Sequence, residues 1–285
     1  MNHPLNRRGA VAAILSAWAL PRAARAQDAA PMEIGVLPNI STRVLLAQYQ
    51  PMRDYLSREL KRPVQISTAP NWSVFHQRTL GLEYDVAITA AHLARVAQVD
   101  RGYVPLVSYL PDIKGMVIHA TDRPIASVAE LRGRTLVLSN PQSLVTLRGM
   151  KWLHEKGLER DTDFKTIGTP TDDSVGSVVV RGDAIAAMLS SGEYRAIPEA
   201  TKARLQILSV FAEVPGFVVM ASPRLSAADR RRLEEQFLRF ATQAEEGRTF
   251  FANTGFTAMR VPPAGLMESM DAYAEVTRRM LQPTG

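Results

Sequence analysis

The sequence predicts an α/β fold held together by apolar burial alone, and three observations carry that reading. Short β-runs alternate with helical patterns from Glu33 onward, the signature of a mostly parallel sheet covered by helices. Two clusters of turn residues, Thr121-Asp122-Arg123-Pro124 and Val214-Pro215-Gly216, bracket a central insert in that alternation. The chain has 285 residues, 46% of them hydrophobic, and no cysteine. A large core is therefore available, while a disulfide framework, a thiolate metal site and an acylated cysteine are excluded.

The elements follow in order. Arg7 and Arg8 precede the apolar run Ala10 to Leu20, and Ala24-Arg25-Ala26 supplies a small-residue cleavage site, so residues 1–26 read as a signal peptide. That run is too short to span a bilayer, and no later stretch approaches the roughly 20 apolar residues required. The mature chain is expected to be soluble and exported. Asn6-Arg7-Arg8-Gly9 fits twin-arginine export, and paired arginines also occur in ordinary signal peptides, so both routes stay open. Cleavage removes four arginines and no acidic residue, taking the formal charge from +6 to +2. Arg230-Arg231-Arg232 stands beside Glu234 and Glu235 and reads as a solvated helix face, so no nucleic-acid partner is expected.

Glu33 to Leu37 is the first β-run. A helical pattern with Val44, Leu45, Tyr49, Met52, Tyr55, Leu56 and Leu60 follows, interrupted by Pro51, which starts a new first turn or kinks the helix. Strand Val64 to Ser67, helix Val74 to Gly81, strand Val86 to Thr89, helix His92 to Asp100 and strand Val104 to Ser108 continue the alternation. Met116 to Ala120 reads as a strand, and the Thr121–Pro124 break after it marks the expected boundary. The second series runs strand Thr135 to Leu138, helix Ser143 to Lys156, strand Phe164 to Gly168 and helix Asp173 to Arg181. Strands Ala184 to Leu189, Leu205 to Val210 and Phe217 to Ala221 come next. Helices Ala227 to Glu246, opened by the N-cap Ser226, and Ala264 to Leu281 close the chain. No internal repeat appears in the sequence.

The stretch Tyr49-Gln50-Pro51-Met52-Arg53-Asp54-Tyr55-Leu56-Ser57-Arg58-Glu59-Leu60, with Pro63-Val64, resembles the first helix and second strand of the phosphonate-binding proteins of ABC transporters. Further blocks agree in order and spacing: Asp85-Val86-Ala87-Ile88, Asp122-Arg123-Pro124 with Ser127 to Gly133, Ser139-Asn140-Pro141-Gln142-Ser143, and Val214-Pro215-Gly216. The resemblance covers roughly residues 33–280 and implies a type II periplasmic binding protein. Two α/β lobes would be joined by a two-strand hinge, with the ligand cleft between them. It implies a discontinuous first lobe, 32–122 plus 215–285, and a second lobe, 123–214.

The resemblance also implies where a ligand would sit. In the family, a hydroxyl-rich turn opening a second-lobe helix holds the phosphonate oxygens, and here that turn runs from Ser139 to Leu147. Free amides and the helix dipole at such an end suit an anion. Ser143 keeps the matching position and Thr146 restores a hydroxyl, but Leu144 and Val145 replace small or hydroxylated residues. Ser143 serves equally as a plain N-cap. The family's histidine aligns with Asp172 or Asp173, where a carboxylate would repel a dianion or cap the next helix. Trp72 aligns with a pocket aromatic and could instead pack in the core; Thr89 falls where another aromatic can occur. Phe217 replaces the acidic group that aminoalkylphosphonate binders can carry. Asn39 and Ser41 follow the first strand, and Ser190 follows a second-lobe strand, at the carboxyl ends where open α/β sheets bind ligands.

No catalytic signature accompanies these residues. The histidines at 76, 92, 119 and 154 are scattered, and there is no Gly-x-Ser-x-Gly elbow, Walker loop or Gly-x-Gly-x-x-Gly. The expectation is a monomeric, cofactor-free solute-binding protein for a small oxyanion, phosphonate, phosphite or phosphate-like, or a related polar metabolite. Its partner would be an inner-membrane ABC permease. The alternative is an exported sensing subunit of the same fold, docking on a membrane histidine kinase or chemoreceptor; an enzyme on this fold is the remote third reading.

Overall fold

The protein is described by a computed structural model covering residues 30–169 and 174–282. The signal peptide expected at 1–26 and the Asp172/Asp173 position lie outside the described residues. The first run of elements is β1 (Met32–Val36), α1 (Thr42–Leu60), β2 (Val64–Ser67), α2 (Trp72–Leu80), β3 (Val86–Thr89), α3 (Ala91–Arg101) and β4 (Val104–Leu110). The central run is β5 (Ile113–Ala120), β6 (Thr135–Leu138), α4 (Leu144–Glu155), β7 (Lys165–Gly168), α5 (Val175–Arg181), β8 (Ala186–Ser190), α6 (Ser191–Ala196), α7 (Glu199–Lys202) and β9 (Leu205–Val214). The return is β10 (Val218–Ala221), α8 (Ala227–Thr242), α9 (Glu245–Thr254), β11 (Ala258–Arg260) and α10 (Asp271–Leu281).

These strands build two sheets rather than one. The six-stranded sheet has the order β11-β4-β10-β3-β1-β2, and the five-stranded sheet has the order β7-β6-β8-β5-β9. Most strands of each sheet run in one direction. The exceptions in the first are β10 and β11, and in the second β5. The segments β2-β1-β3-β10-β4 and β7-β6-β8-β5-β9 share one plan. In each, the antiparallel strand is the one that has just crossed from the other sheet.

The crossings are short. Pro111-Asp112 joins β4 to β5, and Pro215-Gly216-Phe217 joins β9 to β10. They lie side by side, with the Tyr109 amide donating to the Phe217 carbonyl at 2.8 Å. A side chain on Gly216 would collide with the Tyr109 carbonyl, so this close pairing requires glycine. The change of sheet therefore falls at Pro111-Asp112, not at 122/123 where the turn residues suggested it. The reason is that β5 pairs along its length with β8 and β9, and Thr121–Pro124 merely turns the chain within the second unit.

Three further expectations are corrected by packing. Helix α1 runs unbroken through Pro51, because Leu45, Tyr49, Met52, Tyr55 and Leu56 form one buried stripe across the proline. Burial of that stripe outweighs one missing backbone donor. The single helix expected over Ala227–Glu246 divides into α8 and α9 around Gln243-Ala244. Gly247 approaches the Phe240 carbonyl where a β-carbon could not fit, and the fold-back sets Phe250 edge-on at 5.6 Å and Phe251 tilted at 6.3 Å to Phe240. In the closing segment a short 3-10 turn, Glu268–Met270, precedes α10, so its helix starts seven residues later than expected.

Apolar clusters cover both faces of each sheet. One of them spans both units. Leu144 and Val145, on the first turn of α4, pack in the same cluster as Leu37, Trp72, Phe75 and Ala90 of the first unit.

Candidate functional site

A cavity of about 280 Å³ lies between the two sheets beside the paired crossings. The chain delivers residues to it from the carboxyl ends of parallel strands: Asn39 after β1, Ala90 after β3, Ser143 after β6 and Ser190 at the end of β8. The crossings add Asp112 and Phe217, and the α9–β11 turn adds Gly255 and Phe256. Both units thus contribute walls to one partly open cleft.

Five of the ten expected positions line it: Asn39, Trp72, Ser143, Ser190 and Phe217. Trp72, the first residue of α2, is only 6% exposed and shows the cavity an edge. Its Nε1 donates to the Pro38 carbonyl at 3.2 Å, and its ring centroid stands 6.3 Å from that of His92. Ser143 is the N-cap of α4, its Oγ accepting from the Thr146 amide at 3.1 Å. The Ser190 Oγ accepts from the Glu193 amide at 3.2 Å as the N-cap of α6. Phe217 packs edge-on to Tyr109 at 6.2 Å and tilted to Phe256 at 5.8 Å.

The other described positions stand elsewhere. Thr146 is buried, and its Oγ1 donates to the Asn140 carbonyl at 2.7 Å, closing the turn upon itself. Ser139 is buried and donates to Glu193 Oε2 at 2.8 Å. Ser41 is exposed at the start of α1 with no capping bond from its side chain. Thr89 is buried at the end of β3, and its Oγ1 has no hydrogen-bond partner among the described residues. The hydroxyls expected to clamp an oxyanion are thus bonded within the protein, Ser143 and Thr146 at the α4 turn and Ser139 to Glu193, and Leu144 and Val145 turn that side of the cavity apolar.

Several lining residues escaped sequence reasoning, among them Tyr49, Asp112, Glu193 and Arg195. Glu193 had a legible signal, since Ser190-x-x-Glu193 is a capping box. Its Oε2 accepts from Ser139 Oγ and from the Ser190 amide at 2.5 Å. Burial pushes the Glu193 carboxyl upward from its ordinary value, against the opposing pull of those bonds. Nothing local marks Arg195, because it meets the cavity only through the folding of α6 against the α9–β11 turn.

Beside the cavity, a polar clasp crosses the seam. Gln142 Nε2 donates to Ser73 Oγ at 3.2 Å and to the Met280 carbonyl at 3.1 Å, while its own carbonyl meets His92 Nε2 at 3.1 Å. Arg148 of α4 adds a bond to the Tyr273 hydroxyl of α10 at 3.0 Å. The two units are closed upon each other.

Two α/β units, joined by a double crossing with a cleft between them, define the fold of a type II periplasmic binding protein. The family of ABC transporter phosphonate periplasmic substrate-binding proteins matches residues 34–262, and this chain belongs to it. PhnD1 from Prochlorococcus marinus, solved in complex with methylphosphonate, superposes with a TM-score of 0.75 at 13% identity, covering 87% of this chain and 97% of that one. A binding-protein component of an ABC phosphonate transporter from Pseudomonas aeruginosa gives 0.73 at 14% identity, covering 89% and 90%. The Xanthomonas citri protein XAC2383 bound to ATP gives 0.72 at 20% identity, covering 87% and 98%. No curated protein sequence matches the chain. At these identities the solved structures speak to the fold alone.

Proposed function

We propose that this protein is the solute-binding component of an ABC-type importer, exported to the periplasm, which closes its two units on a small polar solute and presents the closed form to an inner-membrane permease. The observation that carries this reading is the cavity itself: both units line it, at the carboxyl ends of their strands and beside the only two chain crossings among the described residues. A ligand touching both units binds the closed form in preference to the open one, and that difference in affinity drives closure.

The altered α4 turn bears on the solute. A phosphonate-like oxyanion would find the Ser143 hydroxyl already bonded and Leu144 and Val145 beside it, so a related polar metabolite fits better than a bare oxyanion. The test is a thermal-shift screen of residues 27–285 against phosphate, phosphite, phosphonates, sulfonates, carboxylates and small cations, with small-angle scattering on each hit. Stabilisation together with a smaller radius of gyration supports the reading. A hit that leaves the radius unchanged refutes closure as the response. Pull-down of a sensor kinase instead of a permease would redirect the same closure to signalling.

A further inference from the structure

Three charged side chains face the cavity: Asp112 from the first crossing, and Glu193 and Arg195 from α6. Among the described residues the Arg195 guanidinium and the Asp112 carboxylate have neither a hydrogen bond nor an ion pair. Glu193 accepts both its bonds on Oε2, which leaves Oε1 without one. The cavity therefore offers one free cation and two carboxylates with acceptor capacity to spare, a formal charge of −1. Around them stand the apolar surfaces of Trp72, Leu144, Val145 and Phe217.

Such a lining discriminates by charge. A dianion meets two carboxylates and one guanidinium and is repelled overall, whereas a ligand with charges of both signs pairs with each. Arg195 is also placed by the fold. It is exposed on α6, and its guanidinium lies against Gly255 of the first unit, so a positive charge stands at the seam.

We propose that the ligand is a small zwitterion with an apolar body, its anionic group held by Arg195 and its cationic nitrogen by Asp112 and Glu193. This rests on the solute-binding reading and names the ligand class for that same cavity. The anion-binding duty has moved from the α4 turn to a guanidinium on α6. Burial raises the Glu193 carboxyl from its ordinary value, and a cation beside it would oppose that shift.

The experiment is isothermal titration of residues 27–285 with five probes: leucine and glycine betaine, which carry both charges; choline, which carries only the cation; and methylphosphonate and inorganic phosphate, which carry only the anion. A zwitterion is expected to bind more tightly than choline or either anion. Arg195→Gln and Asp112→Asn should each weaken it by about tenfold or more, the loss of one charge-assisted bond. Asp112 makes no side-chain bond among the described residues, so Asp112→Asn keeps the test open if Glu193→Gln unfolds α6. Tighter binding of methylphosphonate or phosphate than of both zwitterions, or zwitterion binding indifferent to both Arg195→Gln and Asp112→Asn, overturns the zwitterion and leaves solute binding standing. A folded protein that binds none of the five overturns the zwitterion, and one that also gives no hit in the wider thermal-shift screen overturns solute binding.

Discussion

Trp72→Ala is the perturbation whose outcome depends most directly on the folded structure. Read as a pocket wall, the indole should be removable with little loss of stability, but the structure makes it a core residue with one edge on the cavity. It is 6% exposed, sits in the apolar cluster that spans the seam, and spends its only donor on Pro38. Truncating a buried aromatic of this size costs about 3–5 kcal/mol. For a chain of this length that lowers Tm by roughly 10 °C or more. Trp72→Phe keeps most of the apolar surface and leaves the Pro38 carbonyl without its donor, a loss of about 1 kcal/mol. Chemical denaturation followed by circular dichroism measures both. A loss below about 1 kcal/mol for Trp72→Ala would show that the indole does not hold the seam and would return it to a role in ligand contact alone.

Three other outcomes are expected. Gln142→Ala removes two of the side-chain bonds that cross the seam; at about 1 kcal/mol each the closed form loses roughly 30-fold in population against the open one, and small-angle scattering should report a larger radius of gyration. Gly255 has φ +74°, so Gly255→Ala should destabilise the protein by a backbone cost of about 1–2 kcal/mol, and adding Arg195→Ala should recover little, because the guanidinium beside it is the free end of an exposed side chain. His76 and His92 are buried, and burial lowers both to about 4. The unfolded chain takes up those protons below about pH 6.5 and the folded chain only near 4. Stability is therefore fully present above about pH 6.5 and falls between there and 4, by about 3 kcal/mol for each histidine. Denaturant midpoints that stay flat across that window, after allowance for the carboxylates, would place both rings in water.

Much of this molecule was readable before folding, for a common reason. Strands β2, β3 and β6 fall where composition put them, and the resemblance to phosphonate-binding proteins was carried by short blocks of contiguous residues. Periodicity, caps and turn chemistry act over a few residues, so the chain states them outright. Ser190 and Glu193 of the capping box are three positions apart and belong to this class, as do the Ser143 cap and the substitution of Leu144 and Val145 at the expected anion turn.

What only the tertiary structure decided involves partners far apart in the chain. The two sheets share a strand plan although no repeat is visible in the sequence, because strand order is set by which edges meet, not by local pattern. The sheet boundary moved to Pro111-Asp112 since β5 is claimed by β8 and β9, some 70 to 100 residues later. Pro51 failed to break α1, and Gln243-Ala244 broke the later helix, once aromatic packing outweighed propensity. The charged set of the cavity is the clearest case. Asp112 and Arg195 are unremarkable in sequence, and they join Glu193 on one cavity only because folding brings a crossing and a short helix together there. Desolvation and charge pairing act through distance in space, and sequence separation does not record it.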